Sequence, residues 1–226
     1  MNIREILSAV LGEAGYLIPT SFFGSTSPDD LQMCYLANRA SSFLREKGFQ
    51  KLTKRATITL TAATTYTLPT DFLELVPDSM MVDGRLDAVN LPTDAQTWSY
   101  LISQTSTSNY VVYARIMNGV LNVFSPTSGA ILDYEYVSNA PITDVSGATY
   151  KERFTVDTDL WLLDADLIIL ETKWRFMQAK GLEGWQVCAE EAAQYRLSVL
   201  ARDKSAKTIS PNALGFLPEP HTRLWV

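Results

Sequence analysis

The sequence is poor in the residues that most often carry out catalysis. It contains one histidine, His221, and two cysteines, Cys34 and Cys188, in 226 residues. The histidine lies in an aperiodic stretch with several prolines, which argues against a histidine metal cage or a catalytic triad on rigid elements. The cysteines lack a paired spacing and fall in predicted helices, so we expect two buried, reduced thiols. No catalytic residue, metal site or cofactor is predicted, and the protein is not expected to be an enzyme.

An excess of positive charge is also absent. Nineteen Lys and Arg stand against 25 Asp and Glu, which gives a net charge of -6. Free-standing nucleic-acid-binding proteins neutralise phosphates with Lys and Arg, so this class is not expected, although an acidic surface could line a passage for DNA. No apolar run is long enough to span a membrane, and residues 1–11 lack a signal-peptide pattern. We therefore expect a cytoplasmic protein that does not contact a membrane.

Two consecutive amphipathic helices are predicted between residues 157 and 206, and the rest of the chain is organised around them. Apolar residues of the first helix recur at spacings of four, three, four and three, as on one helix face. They are Leu163, Leu167, Leu170, Trp174 and Met177. A glycine-flanked corner at residues 180–184 ends this helix. The second helix carries an apolar stripe of Trp185, Cys188, Ala189, Ala192, Tyr195 and Val199. Together they predict an antiparallel helical hairpin.

Two further helices are predicted near the start of the chain. An apolar stripe from Ile3 to Leu11 predicts a helix over residues 2–14. Ser27 and Pro28 then predict a helix start, because serine caps free backbone amides and proline suits the first helical position. Gly48 ends this second helix.

The hydrophobic period changes from 3.6 to 2 at Arg55, which predicts strands. Residues 57–60 and 66–68 are expected to pair as a hairpin, and Pro77 places part of the strand at 73–82 at an edge or bulge. Asn118 and Gly119 between apolar runs are the strongest local hairpin signal. The other predicted elements are a short helix at 93–102 and strands at 110–116, 120–124 and 131–137.

These elements predict an α+β fold with a helical core interrupted by a β module. The core is an antiparallel helical bundle built on the C-terminal helical hairpin, and it comprises residues 1–54 and 151–206. A small antiparallel β module is inserted at residues 55–150. Residues 207–226 form an extended C-terminal tail.

The tail is broken by prolines and has no periodicity, yet it carries large apolar side chains. Disordered tails are usually poor in such groups, because exposed apolar groups favour aggregation. The tail is therefore expected either to fold back on its own helices or to lie in a groove of a neighbour. The predicted partner-binding residues are Leu214, Phe216, Leu217, Leu224 and Trp225.

Several charged and aromatic groups admit a functional and a structural interpretation, and we favour the structural one in each case. Carboxylates near the predicted long helix could bind a cation, but their spacing lacks the glycine and terminal glutamate of a calcium loop, and they suit the helix N-terminus. They are Asp157, Asp159, Asp164 and Asp166. Asp71, Glu74 and Asp78 could form a glycosidase pair, but exposed turn residues are the better interpretation.

The basic and tryptophan residues also admit two interpretations each. A cationic segment could contact nucleic acid, but complementing a helix dipole and facing solvent is favoured. It consists of Arg45, Lys47, Lys51, Lys54 and Arg55. Trp161, Trp174 and Trp185 are expected to be core and interface anchors rather than a ligand box, because each buries a large apolar area.

Four stretches resemble the head-to-tail adaptor family of tailed bacteriophages, which includes head-completion and tail tubular A-like proteins. They are residues 44–50 leading into 55–57, residues 66–72 with the sequence YTLPTDF, residues 83–84, and residues 154–181. The YTLPTDF stretch is the most distinctive. Phe49 departs from the family pattern, because many relatives carry tryptophan there.

The resemblance implies a structural protein of the virion at the head-tail interface, assembled in the host cytoplasm. It implies a ring of about twelve copies beneath the portal protein, with the C-terminal tail docked on the portal and a distal tail or nozzle protein on the other side. The ring would extend the channel through which double-stranded DNA passes without sequence-specific binding, and provide the platform for tail attachment.

A second class of function stays open at this point. The β module could bind a ligand or saccharide on a helical stem, as in a tail accessory protein. This alternative predicts a cleft lined by exposed aromatic residues such as Tyr110, Tyr113 and Tyr134.

Overall fold

The computed structural model describes residues 1–61, 63–83, 89–91, 94–103, 112–124 and 128–205. The helices are α1 Ile3–Glu13, α2 Pro28–Arg45, α3 Ala95–Ser103, α4 Ala165–Ala179 and α5 Trp185–Ser205, with a 3-10 turn at Gln50–Leu52. The strands are β1 Thr53–Thr59, β2 Thr65–Thr67, β3 Phe72–Leu75, β4 Met81–Val82, β5 Val89–Asn90, β6 Val112–Met117, β7 Val120–Phe124, β8 Ile131–Ser138, β9 Ile142–Thr143, β10 Tyr150–Lys151 and β11 Leu160–Trp161. In this part of the chain, no helix is both long and apolar enough to cross a bilayer.

The first two helices begin where the sequence predicts, although their caps differ. In α1, Asn2 and Glu5 form a reciprocal capping box, in which the side chain of each accepts the backbone N–H of the other. At the start of α2, Ser27 makes no side-chain capping bond. Ser25 Oγ instead accepts the Ser27 N–H and donates to Asp30 Oδ2 at 2.6 Å. The loop before α2 is therefore held by Ser25 and Asp30.

Helix α4 packs against α1, α2 and α5. It begins at Ala165, later than predicted, because Asp164 is its N-cap and β11 occupies the residues before it. The predicted buried face is partly wrong: Leu163 and Leu167 are buried, but Leu170, Trp174 and Met177 are only half-buried. The buried face of the helix is instead Leu167, Ile168, Ile169, Glu171, Thr172, Arg175 and Phe176. A search for recurring apolar residues could not identify this buried face, because three of its residues are polar.

Helix α5 runs antiparallel to α4 and turns its predicted stripe inward. Ala192 and Val199 are buried, and Tyr195 is half-buried with its hydroxyl donating to Asp164 Oδ1 at 3.1 Å. The opposite face of α5 exposes Val187 and Leu197, at 68% and 66% of their surface. This outward face has no covering element in the described part of the chain.

Within the described ranges the strands form three sheets, and two predictions about them are wrong. Residues 57–60 and 66–68 do not pair as a hairpin, because β1 pairs along its whole length with β8 while β2 pairs with β7 in another sheet. The module is not purely antiparallel either, since β5 and β6 pair in parallel. Seven residue pairs join β1 to β8, and this long ladder prevails over the predicted local hairpin.

The hairpin signal at Asn118 and Gly119 is confirmed. These residues join β6 to β7 with φ of +52° and +76°, as a two-residue turn between twisted strands requires. The predicted short helix also forms as α3, where Trp98 is buried. Pro77 interrupts the predicted strand at 73–82, which splits into β3 and β4.

The buried apolar residues of the described ranges fall into two clusters. One joins α1, α2, α4 and α5 with the 3-10 turn, and the other lies between the sheets that contain β1 to β8. Ile142 on β9 belongs to the first cluster. The chain therefore passes from the β-sheet cluster to the helical cluster before Ile142, whereas the predicted end of the β module is residue 150.

Candidate partner-binding surfaces

The five tail residues predicted to bind a partner lie outside the described residues, as does His221. They are Leu214, Phe216, Leu217, Leu224 and Trp225. Their role stays a prediction.

A fully buried carboxylate lies between α4 and α5. Glu171 has no exposed surface, and its carboxylate accepts hydrogen bonds from the guanidinium groups of Arg175 and Arg196. The Trp174 indole N–H donates to the same carboxylate at 2.9 Å, and Arg175 also donates to the Glu171 carbonyl at 2.5 Å. One negative charge thus faces two positive charges, and the cluster keeps an excess positive charge.

Three cations of this region lie close to the aromatic ring of Phe43 on α2. The guanidinium carbons of Arg175 and Arg196 lie 5.1 and 4.9 Å from its ring centroid, and Lys47 Nζ lies 4.3 Å from it. Arg175 also lies 4.3 Å from the Trp174 ring. Aromatic faces attract cations, so these rings partly compensate the charge that Glu171 leaves unbalanced.

A cleft of about 270 Å³ opens between α2 and α4 at this cluster. Its charged and aromatic walls are Arg39, Phe43, Trp174 and Arg175. Burial lowers the pKa of Arg175, Glu171 opposes this shift, and the nearby charges of Arg39 and Arg196 add to it. Arg39 is exposed and forms no salt bridge within the described ranges. We call this feature the cationic cleft.

The loop between α1 and α2 exposes apolar side chains. Leu17 is 97% exposed and Ile18 is 52% exposed, while Tyr16 packs edge-on against Phe176 with 5.2 Å between ring centroids. On the outer face of α2, Leu31 and Tyr35 are exposed at 52% and 66%. Adjacent exposed apolar groups of this kind are typical of protein-binding surfaces.

The aspartates near α4 hold loops and cap the helix. Asp164 caps α4, as predicted, by accepting the Asp166 N–H at 3.0 Å. Asp157 and Asp159 lie before the helix start, so the prediction that they cap it is wrong. The Asp157 carboxylate accepts hydrogen bonds from the Ser21 hydroxyl and from the backbone N–H groups of Phe22 and Phe23. The Asp159 carboxylate accepts hydrogen bonds from the Thr155 N–H and from Lys151 Nζ.

Asp71 ties the start of β3 to its neighbours. Its carboxylate accepts hydrogen bonds from Lys54 Nζ at 2.7 Å, the Tyr136 hydroxyl at 2.9 Å and the Ser138 hydroxyl at 2.7 Å. Burial alone would raise its pKa, but these three donors outweigh burial and lower it. The interpretation as an exposed turn residue is thus wrong for Asp71, whereas Glu74 and Asp78 are exposed.

Most of the basic segment is engaged within the chain. Arg45 binds Glu152 at 2.5 Å, Lys54 binds Asp71, and Arg55 lies 3.0 Å from Asp133. Lys47 covers Phe43, and Lys51 is exposed. A segment whose cations pair internally does not supply the array of charges that phosphate binding requires.

The predicted aromatic cleft of the β module is not formed by the residues that the structure describes. Tyr134 is 1% exposed and lies in the core, Tyr113 is half-buried, and Tyr110 falls outside the described ranges. Trp161 is buried, as predicted, while Trp174 forms a wall of the cationic cleft and Trp185 is half-buried.

The two thiols differ in their surroundings. Cys34 is buried, and burial together with the negative charge of Asp157 raises its pKa to about 11. Cys188 on α5 is only half-buried, contrary to the prediction.

Sequence reasoning missed the cluster of Glu171, Arg175 and Arg196. A signal was present, since Glu171 and Arg175 are four residues apart on one helix face. Such pairs usually lie on exposed surfaces, and no sequence pattern showed that Arg196 from the next helix would bury this one.

Exposed apolar and cationic surfaces on a helical core are typical of a structural protein that assembles with other proteins. The family model for the SU10 adaptor protein matches residues 1–208. The chain therefore belongs to the SU10 adaptor protein family, a family of phage structural adaptors. No curated protein matches the chain.

Membership confirms the resemblance to phage adaptors at the level of the family. It implies a component of the virion that contacts other phage structural proteins such as portal and tail proteins, in a family that is not normally enzymatic. The narrower assignment to head-completion or tail tubular A-like proteins stays a prediction.

Proposed function

We propose that this protein is a head-to-tail adaptor that forms a ring of about twelve copies beneath the portal protein at the head-tail interface, after assembly in the host cytoplasm. Residues 207–226 dock on the portal, the ring extends the DNA channel, and its far side provides the platform for a tail or nozzle protein. The observation that carries this proposal is the family match over residues 1–208.

The surface of the helices supports a ring. Subunits that meet head to tail need two different contact surfaces, because one surface of each copy meets the other surface of the next. Helix α2 exposes Leu31 and Tyr35, and α5 exposes Val187 and Leu197. These are two separate apolar surfaces on one subunit.

The charge of the chain supports passage of DNA without binding. The net charge is -6, and Arg45, Lys54 and Arg55 are paired with carboxylates. An acidic channel wall repels phosphates, so DNA can slide through it without being held.

The composition of the tail supports portal docking. Five large apolar residues among prolines can act as anchors in grooves of a partner. Ordering a tail on binding costs conformational entropy, which many simultaneous contacts around a ring offset through high effective concentration.

Deletion of residues 207–226 tests the docking role. The truncated protein should keep the circular dichroism spectrum and urea midpoint of the full chain but fail to co-sediment with portal rings. A finer comparison uses two triple variants of the full chain, Leu214→Ala with Phe216→Ala and Leu217→Ala, and the polar control Thr208→Ala with Ser210→Ala and Asn212→Ala. Only the apolar triple should lose binding. Co-sedimentation of the truncated protein at the level of the full chain would refute docking through the tail.

A further inference from the structure

We infer that the cationic cleft binds the acidic outward face of α5 from a second copy of this chain, through the exposed Glu190 and Glu191. This inference rests on the proposed ring and names the two surfaces that meet at each contact.

The cleft has cations that its own subunit does not neutralise. Buried Glu171 is shared by Arg175 and Arg196, and Arg39 at the rim forms no salt bridge in the described part of the chain. Guanidinium groups bind carboxylates through planar, charge-assisted hydrogen bonds. Phe43 and Trp174 line the cleft beside these cations. The cleft therefore suits a carboxylate carried on a side chain.

The outward face of α5 offers that carboxylate in an apolar frame. Val187, Glu190, Gln194 and Leu197 recur at spacings of three, four and three on the face opposite the buried stripe, and Glu191 lies at the edge of this face. The two glutamates are exposed and their carboxylates form no hydrogen bond or salt bridge within the described ranges, although the negative charge of Glu191 acts on Lys173. Exposed apolar residues thus lie on both sides of an acidic centre.

The rim of the cleft also combines exposed apolar side chains with a charge, which here is positive. Leu31, Tyr35 and Arg39 follow one another at intervals of four on the outer face of α2, so two apolar side chains precede the cation. Two helices packed side by side could pair Leu31 and Tyr35 with an apolar end of the α5 face, while Arg39 meets the glutamates. Both members of the contact combine opposite charge with exposed apolar area.

A second copy explains this surface better than DNA does. A DNA backbone offers phosphates without apolar side chains, and it would leave Leu31 and Tyr35 uncovered. The cleft and the acidic face lie on different helices of one subunit. Each contact uses the cleft of one copy and the acidic face of the next. An open chain of copies therefore keeps one free cleft and one free acidic face at its ends, and copies can add until the ring closes.

The test uses charge reversal and mixing of full-length chains. One variant is Arg39→Glu, and the other is Glu190→Arg with Glu191→Arg. Each is analysed by native mass spectrometry alone and on portal rings, where twelve chains of 25.2 kDa add about 300 kDa. Each variant alone should form rings about tenfold less than the wild type or worse, because like charges meet at every contact.

Mixing the two variants in equal amounts should restore rings. In a ring where the two variants alternate, half of the contacts pair Glu at position 39 with Arg at positions 190 and 191. The other half are identical to the wild-type contact. Such a ring can close when the number of subunits is even. The control reverses exposed charges outside both surfaces, with Arg4→Glu and Glu74→Arg, and should form rings alone and mixed. Urea midpoints verify that each variant is folded.

The outcomes separate this inference from the proposed function. If the wild type forms rings and both variants form them equally well, the inference is overturned while the adaptor ring stands. Loss of rings in each variant without recovery on mixing also overturns it, since the charges would then not meet each other. If Arg39→Glu keeps its rings but loses retention of DNA, the cleft binds phosphate. If the wild type forms no ring even with portal present, the proposed function fails and the inference fails with it.

Discussion

Arg196 on α5 donates a hydrogen bond to the buried carboxylate of Glu171 on α4. The same carboxylate accepts Arg175 from its own helix, so one acidic group serves two cations. Helices α4 and α5 are thus joined by an ionic contact in addition to apolar packing. Because Arg175 also forms a wall of the cationic cleft, this contact holds the cleft in shape.

Replacing Glu171 by glutamine should destabilise the protein strongly. The change leaves Arg175 buried without a counter-charge, and loss of one partner of a buried pair typically costs about 3–5 kcal/mol. Urea unfolding of the full chain gives the free energy of unfolding. The matched control, Glu183→Gln, changes an exposed glutamate and should stay within about 0.5 kcal/mol of wild type. Equal losses for the two variants would contradict the role of Glu171.

Two neighbouring tyrosines on β8 should respond to loss of their hydroxyls in opposite directions. The Tyr136 hydroxyl donates to Asp71 at 2.9 Å, so Tyr136→Phe should lower stability by about 1–3 kcal/mol. The buried Tyr134 hydroxyl has no hydrogen-bond partner among the residues that the structure describes. Tyr134→Phe removes its desolvation cost and should be neutral or stabilising by up to about 1–2 kcal/mol.

Unfolding midpoints in urea measure both tyrosine variants under the same conditions. A loss of stability in Tyr134→Phe as large as that in Tyr136→Phe would show that the Tyr134 hydroxyl has a partner in solution.

Asp159 should make stability depend on pH below about 4. Burial would raise its pKa, but hydrogen bonds from Lys151 and from the Thr155 and Val156 amides outweigh burial and lower it below the ordinary value of 3.8. A lowered pKa in the folded state means that the ionised group stabilises the fold above pH 3.8, and that this contribution is lost as the pH falls through the folded pKa. We therefore expect wild type to exceed Asp159→Asn at neutral pH, by a margin that shrinks below pH 3.8.

Urea unfolding at several pH values between 7 and 2.5 measures that margin. Exposed Asp78→Asn serves as the control, with a small difference from wild type throughout. A constant margin for Asp159→Asn across the range would contradict the lowered pKa.

Patterns within a few neighbouring residues correctly predicted two helix features and one turn. The start of α2 at Pro28, the buried face of α1 and the turn at Asn118 and Gly119 all depend on residues within a few positions of one another. Backbone preferences and helix periodicity act over that distance, so the pattern is present in the sequence itself.

The pairing of strands and the buried ionic cluster could not be predicted in the same way. Residues of β1 near 55 meet residues of β8 near 135, and no local pattern encodes that partner. In α4, burial of Glu171 and Arg175 depends on Arg196 and Phe43 from two other helices. A hydrophobicity pattern assigns such residues to the surface, and the predicted face of α4 was therefore rotated away from the observed one.

Electron microscopy of the full-length chain mixed with portal rings tests the adaptor proposal most directly. The proposal predicts an added ring on the axis of the portal, with about twelve subunits around an open channel. Particles that show portal alone, with the chain remaining in solution as a single subunit of 25.2 kDa, would contradict it.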